Sequence, residues 1–309
     1  RSYFHRKAAL EGAGGPGEPG RHGADAIHEP RRAAEAYIEV LQCVADDERA
    51  TLGLERTLEH ADDKSDIASV LRRVYQEREY WRGVADMTEI LLDMTEASAE
   101  RLDALRDLSS LYEGRLNQPD RALRWTLEAL RESSGDSVLL EDTLRLAGAT
   151  RTYRDTVDVL RKLRDASEGE ARQQLSLAAA QIAMWAGDRD GAMADALGAC
   201  GIVRELSSAA GEVLEELLVP GAGSDLLRER CGELIEPLSR DAQVAAWRVL
   251  AQRFEASWQD IQGAILAWTR LRDLGEQVQG ANSELDRLYE ASQDPRAWSE
   301  HLLGRVQQI

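Results

Sequence analysis

The sequence predicts an all-α protein, an α-solenoid of stacked antiparallel helical hairpins, and three observations carry that expectation. The first is composition. Leu, Ala, Glu and Arg dominate a 309-residue chain that is 43% hydrophobic and only 5% aromatic, and these are strong helix formers. The second is pattern: Val and Ile are sparse, and no stretch alternates apolar and polar residues over six positions as a half-buried strand would. The third is repetition. "QPDRALRWTLEAL" at 118–130 returns as "DRDGAMADALGAC" at 188–200 and as "DIQGAILAWTRL" at 260–271.

Taken in order, the chain opens with 1–29. The segment "EGAGGPGEPGRHG" at 11–23 is too rich in Gly and Pro for a helix. Before it, "YFHRKAAL" reads as the end of a helix; after it, "RRAAEAYIEVLQC" reads as a second helix, with Ala33 in the place of Ala122. Residues 1–29 are therefore expected to be the stump of a preceding helix plus a flexible loop. An interdomain linker is the alternative. The chain does not begin with Met, which reads as a piece of a longer or processed protein.

Residues 30–309 form the helical repeat. Leu102, Leu105, Leu108 and Tyr112 lie at helical spacing, as do Val244, Trp247, Leu250 and Phe254, and between them Leu175, Ala178 and Ile182. Each set is the apolar stripe of a first helix. Ala122, Ala192 and Ala264 begin the stripe of a second helix, continued seven residues later at Ala129, Ala199 and Leu271. Pro119 suits the first turn of its helix. "AGDRDG" at 186–191 breaks the middle pair, and "EASWQD" at 255–260 breaks the last. Further pairs fill the intervals, marked by Trp81, Tyr153 and Trp298, with Gly221, Gly223 and Ser224 as the turn and N-cap of the unmarked one. Hairpins of about 36 residues with two helices each signify stacking, because no hairpin can bury its apolar face alone. About fifteen or sixteen helices are expected.

These residues resemble the tetratricopeptide repeat family. Ser109, Tyr112, Ala122 and Ala129 match its pattern. So do Ala179, Ala192 and Ala199, and so do Ala251, Phe254 and Ala264. The intervening hairpins depart from it: Val84, Thr156 and Arg228 stand where a small residue is expected. The resemblance implies a right-handed superhelix whose first helices line a concave groove that holds peptide ligands.

Composition narrows function by exclusion. A net charge of −18 repels a nucleic-acid backbone or an anionic membrane and favours a basic protein or peptide partner. Cys43, Cys200 and Cys231 are far apart and odd in number, so they suit neither a disulfide framework nor a metal pair; each is expected as a buried small hydrophobe. The five histidines are scattered, with no HExxH. No GxSxG and no phosphate-loop lysine occur; "GAGSD" at 221–225 reads as a turn. No metal, cofactor or catalytic residue is predicted. Trp81, Trp125, Trp247, Trp268 and Trp298 fit the apolar stripes, whereas Trp185 and Trp258 fall near turns, where partial exposure is expected.

One polar pattern repeats. Arg106, Ser110 and Glu113 return as Arg248, Gln252 and Glu255, on one face of a first helix beside its apolar stripe. In the middle repeat Ser176, Ala180 and Ala183 take those places. The six polar residues are the candidate partner-binding set. Their other reading is a solvated helix face with favourable charge spacing. The expected function is a non-enzymatic interaction scaffold. The alternative is a regulatory or sensory arm of a larger enzyme, such as a kinase, whose catalytic domain lies elsewhere.

Overall fold

The computed structural model describes residues 29–44, 46–201, 203–218, 222–275, 278–292 and 294–307. Among them the chain forms sixteen helices and no strand, so the all-α expectation holds. The helix stump and loop expected before residue 29 lie outside the described residues. The chain divides into two compact units, ending at Met94 and starting at Thr95.

The first unit holds α1 (Glu29–Cys43), α2 (Glu48–His60), α3 (Ser65–Glu77) and α4 (Trp81–Met94). α1 pairs with α2 and touches α3, and α3 pairs closely with α4. Two glycines permit this approach. A Cβ on Gly53 would stand 2.4 Å from the Tyr37 ring, and one on Gly83 would stand 2.5 Å from both Tyr75 and Tyr80. The second-helix place given to α1 by aligning Ala33 with Ala122 concerns a partner helix that lies outside the described residues. Ala33 is half-buried, and Ala34 and Leu41, seven apart, form the buried stripe.

The second unit runs through α5 (Ser98–Gly114), α6 (Pro119–Glu132), α7 (Ser137–Thr150), α8 (Tyr153–Asp165), α9 (Gly169–Trp185) and α10 (Arg189–Gly198). It continues through α11 (Arg204–Leu217), α12 (Ala222–Ile235), α13 (Arg240–Ala256), α14 (Ile261–Asp273), α15 (Val278–Ala291) and α16 (Pro295–Gln307). α5 with α6, α9 with α10 and α13 with α14 are close pairs. These are the three hairpins whose sequences match one another. Ala122, Ala192 and Ala264 are fully buried in them, against Leu105, Tyr112, Ile182, Trp247 and Phe254, none more than 4% exposed. Beyond each pair, α7 lies on α9, α9 on α11 and α11 on α13, while α6 lies on α8, α10 on α12 and α12 on α14.

The pairing departs from expectation at α7 and α8. They touch only lightly, and α8 packs instead along α9. Thr156 of α8, buried at 1% exposure, stands where the matching hairpins carry Ala, whereas α9 offers Ala178, Ala179, Ala180 and Ala183, all buried. Small residues set which helices approach, so α9 becomes the centre of this unit. At the next turn, Gly223 and Ser224 already belong to α12 rather than capping it.

The turns share a conformation that composition hides. Asn117, Gly187 and Gln259, in the turns of the three close pairs, have φ of 50°, 77° and 52°; Glu79 and Arg151 have φ of 53° and 59°. Only one of the five is Gly, the residue that enters this region without steric cost. Asp188 and Asp260 then cap the helices that follow, accepting 3.0 Å bonds from the Gly191 and Gly263 amides.

Candidate functional site

α11 and α13 lie side by side with a groove between them, a cavity of about 560 Å³. Its polar wall is Arg204, Ser207 and Ser208 from α11 and Arg248, Gln252 and Arg253 from α13. Sequence builds the pair locally. Ser239 caps α13 through the Ala242 amide at 3.4 Å. Asp241 in the first turn and Arg253 in the last complement the helix dipole. Gly211 of α11 faces Arg253: a Cβ there would meet the guanidinium Nε at 2.8 Å and Val249 at 3.1 Å.

Arg253 ties the two helices together. Its Nη1 donates to Glu215 at 2.6 Å and its Nη2 to the Ser208 carbonyl at 3.4 Å. The Ser257 hydroxyl also donates to Glu215. That hydroxyl first, and Arg253 after it, hold the Glu215 carboxyl below the ordinary glutamate value, although burial pulls the other way. Arg204, Arg248 and Gln252 remain exposed. Arginines can bind a carboxylate bidentately here.

The six sequence-predicted residues are placed as follows. Arg248 and Gln252 line the groove. Glu255, one turn further on, accepts from Arg287 of α15 at 2.7 Å. On α5, Arg106 pairs with Asp136, the cap of α7, and Ser110 is exposed. Glu113 accepts from Arg145 of α7 at 2.9 Å. Glu113–Arg145 and Glu255–Arg287 are the same bond in two repeats, each joining one odd-numbered helix to the next. The structure thus divides the polar set: its glutamates brace neighbouring helices, and two residues on α13 wall a groove. In the middle repeat, Ser176, Ala180 and Ala183 are fully buried at the matching positions of α9.

Sequence reasoning missed other features. Asp195, 3% exposed, is gripped by Arg161 at 2.8 Å and Arg164 at 2.5 Å, tying α8 to α10. Burial pushes its carboxyl above the usual aspartate value, against the pull of both guanidiniums. Arg228 of α12 bonds the capping Asp260 of α14 at 2.9 Å, as Arg161 bonds the capping Asp188 of α10 at 3.3 Å. Trp185 is 44% exposed beside Tyr153, as its place near a turn suggests; Trp258 is buried, edge-on to Phe254 at 5.1 Å. Cys200 and Cys231 are buried as expected, but Cys43 is exposed, because it ends α1 with nothing packed over it among the described residues.

Among the described residues no three His, Cys, Asp or Glu side chains are grouped to hold a metal, and no helix is long and apolar enough to cross a membrane. No protein-family model matches the chain, and neither does any curated protein.

Proposed function

We propose that this chain is a tetratricopeptide-like α-solenoid serving as a non-catalytic scaffold, binding a segment of another protein along its odd-numbered helices. The observation that carries the reading is the groove between α11 and α13, because Arg248 and Gln252, singled out by repetition alone, stand in its wall. The order of packing supports it: α7 lies on α9, α9 on α11 and α11 on α13, and α6 on α8, α10 on α12 and α12 on α14, each two elements apart, as in arrays that expose one long ligand-reading surface. So do the Arg–carboxylate bonds, which recur between helices two apart and hold neighbouring repeats in fixed register.

The test uses the whole chain as bait in a lysate of its source, with the captured partner identified by mass spectrometry and then purified. Its affinity is compared for the wild type and for Arg248→Ala/Gln252→Trp, both exposed positions, with helicity checked by circular dichroism. The double variant is expected to lose affinity by roughly ten-fold or more, the scale of a central interface residue. Equal affinity in a folded variant would return these residues to the status of solvated surface.

A further inference from the structure

We propose that the open side of α1 is a docking surface for this chain's own residues 1–10, which take there the place that α5 takes on α6. This docking belongs to the first unit and is independent of the groove between α11 and α13.

Two stretches of the chain correspond. α1, α2 and α3 begin at Glu29, Glu48 and Ser65, and α6, α7 and α8 begin 88 to 90 positions on, at Pro119, Ser137 and Tyr153. In both stretches the first helix pairs with the second, and the third pairs closely with the helix that follows it. "PRRAAEAYIEVL" at 30–41 and "PDRALRWTLEAL" at 119–130 share Pro, Arg, Ala, Glu and Leu at the same offsets. α6 has one more neighbour. α5 covers its face of Ala122, Thr126 and Ala129, none more than 1% exposed. Ser109 of α5 bonds the Ala122 carbonyl at 3.2 Å and the Thr126 hydroxyl at 2.7 Å. The matching positions of α1 are Ala33, Tyr37 and Val40. The first two are half-buried, Val40 is 41% exposed, and Val44, a turn further on, is 50% exposed. These side chains recur at helical spacing beside the stripe that α1 already buries, so they form a second apolar face.

Residues 1–10 lie outside the described residues, and their sequence matches this face in size, chemistry and reach. Tyr3, Phe4 and Leu10 are large where α1 offers Ala33 and Ala36, the large-on-small pairing of Leu105 and Tyr112 with Ala122. Arg121 of α6 donates to the Tyr112 hydroxyl of α5 at 3.2 Å and lies 5.4 Å from the centre of that ring. Arg32 stands at the same position of α1, exposed and with no bonded partner among the described residues; Tyr3 and Phe4 bring a ring to it. The 18 residues of 11–28 join the segment to α1. Extended at roughly 3.3 Å each they reach about 60 Å, well beyond the ~22 Å length of α1. Loop closure grows only with the logarithm of length, so eighteen residues in place of the four between α5 and α6 still hold the segment at high effective concentration.

The experiment uses the full chain with a photoreactive side chain at an exposed position, Val40→benzoylphenylalanine. Isotope-labelled and unlabelled copies are mixed, irradiated and mapped by mass spectrometry. Links from position 40 to residues 1–10 of the same copy are expected, and Tyr3→Asp/Phe4→Asp should cut their yield about ten-fold by placing charge against an apolar face. The same double variant without the photoprobe should speed amide exchange in 30–43 about ten-fold and leave 240–256 unchanged. Links between labelled and unlabelled copies would make a second copy the occupant and overturn the proposal. Links that avoid residues 1–10, or a yield or an exchange rate unmoved by the double variant, would overturn it equally.

Discussion

Cys43 and Cys200 are the same residue with opposite fates. Cys43 is exposed at the end of α1, whereas Cys200 is 1% exposed and Cys231 fully buried. Burial pushes the Cys200 thiol up to about 12 and the Cys231 thiol up to about 11. At pH 8 both therefore stay protonated as well as shielded, and the thiolate is the reactive form. A chromogenic disulfide reagent should titrate one thiol quickly in the folded chain and three after denaturation. Rapid release from two or three native thiols would mean that the packing around α10 and α12 is wrong. The sequence could not separate these cysteines, because each sits in an apolar helical pattern; what differs is whether another helix lies over it. The left-handed residues were equally hidden. Gln259 and Arg151 carry no sign of positive φ; Gly187, in the turn matching that of Gln259, shows the conformation in its identity, and Asn117 belongs to the few other residue types that visit it.

At the scale of elements, small residues decide which helices meet. Gly263 lies under the Phe254 ring, and a Cβ there would come within 2.4 Å of it. Gly232 sits inside α12 with nothing within 4 Å of where its Cβ would be. The same substitution should therefore have opposite signs. Gly263→Ala should cost about 1–3 kcal/mol by forcing a packed ring aside; Gly232→Ala should stabilise by roughly 0.5–1 kcal/mol, the helical preference of Ala over Gly. Chemical denaturation of each variant measures both, and a stabilised Gly263→Ala would show that α13 and α14 are not closely paired. The three close hairpins were legible because large and small residues recur there at fixed offsets. The light contact of α7 with α8 was not, since the preference of α8 for α9 depends on comparing two possible neighbours. The repeated ion pairs were half legible. Arg106, Glu113 and Glu255 were visible as a pattern, but their partners Asp136, Arg145 and Arg287 lie some thirty residues on, beyond the reach of helical spacing.

At the scale of the molecule, a single charge of −18 describes the chain poorly. Arginines are drawn into bonds between helices two apart, and the chain's acidic average does not describe the groove between α11 and α13, whose lining holds three arginines and no Asp or Glu. Sequence gave the sign of the average and could not give the local exception, because Arg204 and Arg248 are brought together only by the packing of two helices. The central claim is that this face of the second unit is a binding surface. Hydrogen–deuterium exchange of the full chain, alone and with its captured partner at saturating concentration, tests it most directly. The account predicts slowed exchange in 204–217 and 240–256, the helices that form the groove. Slowed exchange confined to other helices, with these two unchanged, would contradict it.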